Sequence, residues 1–180
     1  MTTPPSGVRS LYDAAMISAR IEGLAVEIAA RAPRDLLVVA VLRGSFIFAA
    51  DLVRALHRAG LAPSIEFMQL ASYHEGQVST GVVDVTKDIE SPVEGRDVLL
   101  VDDILETGRT LAYAKDLISA RGAARVFACV LIEKPGKRAV TIHADFVGFS
   151  APDRFLVGYG MDVAHKWREL PFIGELVDGA

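Results

Sequence analysis

Near the middle of the chain, Leu99–Leu111 reads LLVDDILETGRTL. Asp102 and Asp103 are adjacent acids at the end of an apolar run, Glu106 follows, and Thr107-Gly108-Arg109-Thr110 leads into a helical pattern. A glycine turn that opens a helix presents unpaired backbone N–H groups at the positive end of the helix dipole, a cradle for phosphate. Thr107 and Thr110 add hydroxyl donors, and Arg109 adds a charge. The acids repel phosphate, but they can hold ribose hydroxyls or a divalent ion that itself binds phosphate oxygens. Acids beside a phosphate cradle therefore point to a phosphorylated sugar with Mg²⁺. A plainer reading has Asp102 and Asp103 close a strand and Thr107 cap a helix. It leaves the concentration of three acids and T-G-x-T in one segment unexplained.

The flanking elements must carry that turn. Ile17, Ile21, Leu24 and Ile28 recur at helical spacing from Ala14 to Arg31, with Pro33 as the stop. Leu36–Leu42 is a β-branched run apolar on both faces, as a covered parallel strand requires. Arg43, Gly44 and Ser45 follow, then a helical pattern from Phe46 to Leu56, stopped at Gly60. The unit recurs: a strand at Asp97–Val101, a polar turn at Asp102–Arg109, a helix at Thr110–Arg121 stopped by Gly122, and a strand at Val126–Ile132. Ile65–Ala71 reads as a further strand, running into a polar lid loop over residues 72–85. Val140–His143, Asp145–Phe149 and Phe155–Gly158 read as small strands forming a hood, and residues 1–10 as a mobile arm. This alternation predicts an α/β fold with a central, mainly parallel sheet flanked by helices, as one domain over residues 1–180. Ligands of such sheets sit beyond the carboxyl ends of the strands. Arg43–Ser45, Asp102–Thr110 and Lys134–Arg138 all fall at that edge.

The chain has 180 residues, 51% of them hydrophobic and 23% charged, with a formal charge of −4. That balance offers no long-range attraction for nucleic acid. No apolar stretch approaches the ~20 residues that span a bilayer, and no apolar signal core follows the start MTTPPSGVRS. The expected location is the cytoplasm, without nucleic-acid or membrane partners. Cys129, the sole cysteine, lies in an apolar run and reads as a core residue.

Leu99–Leu111 resembles the phosphoribosyl pyrophosphate motif of the type I phosphoribosyltransferases. From Tyr12 to Val177 the chain resembles the hypoxanthine(-guanine) phosphoribosyltransferases within that group. VAVLRGSFIFAADL is similar to the family's pyrophosphate loop and SYHEG to the start of its lid. LIEKPGKR and DFVGFSAPDRFLVGYGMD are similar to its purine-binding segments. The resemblance implies purine salvage: hypoxanthine and guanine would combine with phosphoribosyl pyrophosphate to give the nucleoside 5′-monophosphate and pyrophosphate, with Mg²⁺, in a homodimer or homotetramer. Residue by residue, Asp102 and Asp103 would hold the ribose hydroxyls and the first Mg²⁺. Glu106, Thr107, Gly108, Arg109 and Thr110 would wrap the 5′-phosphate. Leu42, Arg43 and Gly44 would bind pyrophosphate through backbone N–H groups, with a cis Leu42–Arg43 peptide. Ser72 and Tyr73 would close over the centre, with Arg168 on the pyrophosphate and Arg138 nearby. Lys134 would donate to the purine O6, Phe155 would stack on the ring, the Leu156 backbone would meet the base edge, and Asp162 would hold a second Mg²⁺. Glu106 would be the general base, at a position where the family commonly has aspartate. Glutamate keeps the carboxylate and lengthens its reach.

Two other readings compete. Some proteins of this fold bind RNA and sense nucleotides, against which stand the acidic charge and the Lys134 and Phe155–Asp162 segments. LLVDD also resembles the opening acids of signalling receiver domains, but there they lie near the start of a domain of about 120 residues. Too little chain follows Asp102 here.

Overall fold

The computed structural model describes residues 4–75 and 78–177, without the side chains of residues 71–83. Six strands form the main sheet in the order β4(Val78–Lys87), β3(Ser64–Glu75), β2(Leu37–Leu42), β5(Asp97–Leu105), β6(Arg125–Glu133), β7(Phe146–Ser150). All neighbours are parallel except the β3–β4 pair. Strands β2, β5 and β6 are buried on both faces, which is why their sequences read as unbroken apolar runs rather than alternations.

Helices α1(Ala14–Ala30) and α2(Phe46–Arg58) cover one face of the sheet and α3(Arg109–Ala120) the other. The Asp13 side chain accepts from the Met16 N–H at 2.8 Å and so caps α1. Ile17, Ile21, Leu24 and Ile28 are buried, as their spacing predicts. From β2 the chain passes through α2 to β3 on one side. From β5 it passes through α3 to β6 on the other. The winding direction therefore reverses between β2 and β5, and a crevice opens beyond their carboxyl ends.

Four expectations need correction. Strand β5 continues past Val101 to Leu105, because Ile104 and Leu105 pair with β6 after the two acids; the polar turn is shorter than its composition suggests. The backbone of residues 72–75 and 78–85, expected as loop, lies in the β3–β4 pair, with Ser72 opposite Val83. Val78, Thr80, Val82, Val83 and Val85 are β-branched, and that outweighs the polar residues among them. Residues 76–77 lie outside the described residues. Val140–His143 forms no strand, and Phe146–Ser150 extends the main sheet beside β6 instead of joining the hood. Finally, part of the expected arm is ordered: β1(Val8–Tyr12) pairs antiparallel with β9(Ile173–Leu176), which also pairs with β8(Leu156–Val157). Those three strands are the hood. Arg9 Nε donates to the buried Glu175 carboxylate at 2.7 Å across β1 and β9.

Candidate active site

A cleft of about 930 Å³ opens at the carboxyl ends of β2 and β5. Residues from five parts of the chain meet there, each placed by a strand, by the turn after one or by the hood.

Strand β5 delivers Asp102, Asp103 and, just beyond its end, Glu106. Asp102 is buried, and its carboxyl is pushed well above the usual carboxylate range by desolvation first and by the adjacent Asp103 charge second. The Asp103 N–H donates to Asp102 Oδ1, and the Ile104 N–H to Asp103 Oδ1, both at 2.9 Å. The turn that follows is held from behind. Arg138 Nη1 donates to the carbonyls of Leu105 at 2.8 Å and Glu106 at 2.5 Å, and the Ala139 N–H donates to the Thr107 carbonyl at 2.9 Å. Gly108 precedes α3 at φ +82°, where a side chain would strike Ile142. The carbonyls of Leu105, Glu106 and Thr107 are thus held from behind, and the Arg109 N–H donates to Thr107 Oγ1 at 3.5 Å. Thr107 is exposed, and Thr110 lines the cleft. Gly108 and Arg109 belong to the turn but do not line it.

The β2 end supplies Leu42, Arg43 and Gly44, and the Leu42–Arg43 peptide is cis, as expected. Two close approaches explain the glycine there. A Cβ on Gly44 would land on the Asp103 carboxylate, and one on Gly160 (φ +101°) would land on the Gly44 carbonyl oxygen. The hood thus rests directly on the loop after β2.

Beyond β6, Lys134 is 7% exposed and its ammonium lies 3.4 Å from Glu106 Oε2. The hood contributes Phe155, exposed at the cleft wall, with Leu156 buried beneath it. Arg168 is held by Asp162 Oδ1 at 2.5 Å and donates to the Gly160 carbonyl at 2.6 Å, while Asp162 Oδ2 accepts the His165 N–H at 2.8 Å.

Twelve of the residues singled out from the sequence therefore share this one cleft. Ser72 and Tyr73 fall in β3 with side chains outside the described residues. Arg138 lies behind the turn rather than in the cleft, because the turn's carbonyls and Glu133 claim its guanidinium. Sequence reasoning missed Gln69, Lys137, Asp153, Arg154 and His165. Lys137 stands in the singled-out LIEKPGKR segment, but a lysine after a Pro-Gly turn gives no signal that separates it from a solvated one. Among the described residues no group of three His, Cys, Asp or Glu side chains is gathered for a metal. No helix among the described residues is long and apolar enough to cross a membrane. Cys129 is fully buried, as expected, and burial pushes its thiol up.

The phosphoribosyl transferase domain model matches residues 7–164. The hypoxanthine phosphoribosyltransferase of Escherichia coli K12 is 38% identical over 173 residues, covering 94% of this chain and 96% of that protein. The chain belongs to the hypoxanthine(-guanine) phosphoribosyltransferase family. Solved members share the fold. The hypoxanthine-guanine phosphoribosyltransferase of Bacillus anthracis, with HEPES in its active site, is 37% identical with a TM-score of 0.88, covering 94% of this chain and 98% of that one. The Trypanosoma cruzi hypoxanthine phosphoribosyltransferase in complex with the product IMP is 33% identical with a TM-score of 0.91, covering 98% of each chain. Membership of this phosphoribosyltransferase family agrees with the α/β order and with a hood resting on the end of β2.

Proposed function

We propose that this chain transfers the 5-phosphoribosyl group of phosphoribosyl pyrophosphate to N9 of hypoxanthine or guanine, forming the nucleoside 5′-monophosphate and pyrophosphate in the cytoplasm. One observation carries the reading: a buried lysine paired with the partly exposed Glu106, and the buried Asp102 beside the partly exposed Asp103, face one cleft at the switch point of the sheet. The first suits a 6-oxopurine and the second a ribose.

The turn Glu106–Thr110 would wrap the 5′-phosphate with N–H groups, with the Thr107 and Thr110 hydroxyls and with Arg109. Asp102 and Asp103 would accept from the ribose 2′ and 3′ hydroxyls. At the other end Leu42, Arg43 and Gly44 would offer N–H groups to the pyrophosphate, joined by Arg168 and by Ser72 and Tyr73. The donor set also fits Mg²⁺. Mg²⁺ is held by one or two carboxylates together with substrate oxygens, and a cation would offset the burial and the Asp103 repulsion that raise the Asp102 carboxyl. Asp102 and Asp103 would hold one ion. Asp162 would share a second with Arg168, since each carboxylate oxygen keeps a further lone pair. When bound, the ions supply positive charge to the leaving pyrophosphate.

On the base, Lys134 donates to O6. An ammonium has no acceptor, so it rejects the 6-amino group of adenine. Phe155 stacks on the ring, and the Leu156 backbone meets its edge. As the C1′–O bond breaks, positive charge builds on the ribose and negative charge on pyrophosphate, where Arg168 and the β2 loop receive it. Glu106 then takes the purine N7 proton while N9 bonds to C1′. The segment over residues 72–85 would serve as the lid that keeps water out.

The enzyme is further proposed to act as a homodimer or homotetramer. Phe46 on α2 and Ile65 and Phe67 on β3 are more than a third exposed, apolar side chains that a partner would cover. Phe67→Glu is expected to shift the mass seen by light scattering to the monomer.

The decisive assay mixes the protein, phosphoribosyl pyrophosphate and Mg²⁺ with each of hypoxanthine, guanine, xanthine and adenine, and follows pyrophosphate and nucleotide. Formation of IMP and GMP with little AMP, lost on chelation, is the expected result. Product formation indifferent to the base would overturn the reading.

A further inference from the structure

Lys137 lies on the turn after β6 and is about half exposed, yet it is not left to solvent. Its ammonium sits 2.7 Å from Asp153 Oδ1 and 3.4 Å from Glu106 Oε1. The other oxygen of the same glutamate, Oε2, faces Lys134 at 3.4 Å. Each oxygen of Glu106 thus has its own lysine, one buried at the cleft floor and one at its rim. Asp153 precedes Phe155 by two residues, and Glu106, Lys134, Lys137, Asp153 and Phe155 all line the same cleft.

The two lysines face different demands when a 6-oxopurine enters. Lys134 must turn its ammonium toward O6, which weakens its hold on Oε2. Glu106, one methylene longer than the aspartate usual at this position, then has an extra torsion to lose and needs a second restraint. Lys137 supplies one at the other carboxylate oxygen, and Asp153 keeps Lys137 in place. The same ammonium joins the β5–α3 turn to the segment that carries the aromatic platform, so the proton acceptor and the stacking surface are set against each other.

We infer that Lys137 is a positioning residue, which orients the Glu106 carboxylate toward the purine and ties it to the Asp153–Phe155 segment. The inference rests on the reading of Glu106 as general base.

The test is a double-mutant cycle read as kcat and KM in the hypoxanthine reaction. Lys137→Met should lower kcat about three- to fivefold, the scale of exposed ion pairs, and leave the KM for phosphoribosyl pyrophosphate unchanged. Lys137→Arg should recover kcat to within about twofold, since it restores the charge and its reach. In a Glu106→Gln background, Lys137→Met should cost less than half as much, because the charge it orients is gone. Equal cost in both backgrounds, no loss of kcat in Lys137→Met, or no rescue by arginine would each overturn the inference. Glu106→Gln on its own reports separately: if it retains full kcat, the reading of Glu106 as base fails, whatever Lys137 does.

Discussion

Replacing Lys134 by methionine tests the base assignment most sharply. Methionine keeps an unbranched stem in the buried slot and removes only the ammonium, so packing is largely preserved. The side chain is 7% exposed, and its nearest carboxylate oxygen is 3.4 Å away, longer than the 2.7–2.9 Å typical of a charge-assisted hydrogen bond. The ammonium therefore has donor capacity left for a ligand oxygen. A hydrogen bond from a charged group contributes about 1.5–3 kcal/mol, which is roughly 10- to 150-fold in kcat/KM. Adenine presents its own N–H donors to this ammonium and should lose nothing. The ratio of kcat/KM for hypoxanthine over adenine, measured at saturating phosphoribosyl pyrophosphate, should fall by at least about tenfold. A loss of equal size with both bases would refute the argument, as would an effect confined to the KM for phosphoribosyl pyrophosphate.

Asp103→Asn should behave in the opposite way, lowering kcat/KM for phosphoribosyl pyrophosphate about tenfold or more and by similar factors whichever base is supplied. Gly160→Ala combines a left-handed backbone, costing about 1–2 kcal/mol, with a collision against the Gly44 carbonyl. Its KM for phosphoribosyl pyrophosphate should rise and its melting temperature fall. Asp97 starts β5 at the end remote from the cleft, where Arg125 bonds it at 2.6 and 2.9 Å and the Arg34 N–H at 2.5 Å. The Arg125 hydrogen bond first, then the Arg34 N–H, holds its carboxyl below the usual range against the opposing effect of burial. A depressed carboxyl contributes stability above its unfolded value near 3.9 and loses it as the pH falls through the folded value. Asp97→Asn should therefore lower the melting temperature at pH 7 but converge with the parent in acid, with kcat unchanged.

The residues legible in the sequence were those with a physical reason to be a fixed type. Val38–Val41 and Val98–Val101 are buried on both faces and read as strands at once. The glycine and acids of the β5–α3 turn carry chemistry that few other contexts need. What stayed hidden depends on pairing across long separations. Val8–Tyr12 looks like an arm until Ile173–Leu176 lies beside it, and no local pattern announces that partner. Phe146–Ser150 alternates weakly, so its place in the main sheet rather than the hood is decided by β6. Residues 72–75 and 78–85 read as loop by composition, whereas register and β-branching decide their backbone. Lys137, Asp153 and His165 are ordinary surface types whose neighbours exist only in the fold.

The pairing of β1 with β9 also orders events in time. A ribosome releases Val8–Tyr12 long before Ile173–Leu176, so the main sheet and its phosphate turn can consolidate during synthesis while β1 waits for its mate. Phe155 leads into β8, which joins that late pairing through β9. Nascent chains arrested shortly before Ile173 should accordingly recognise the sugar phosphate while still lacking a fixed seat for the purine.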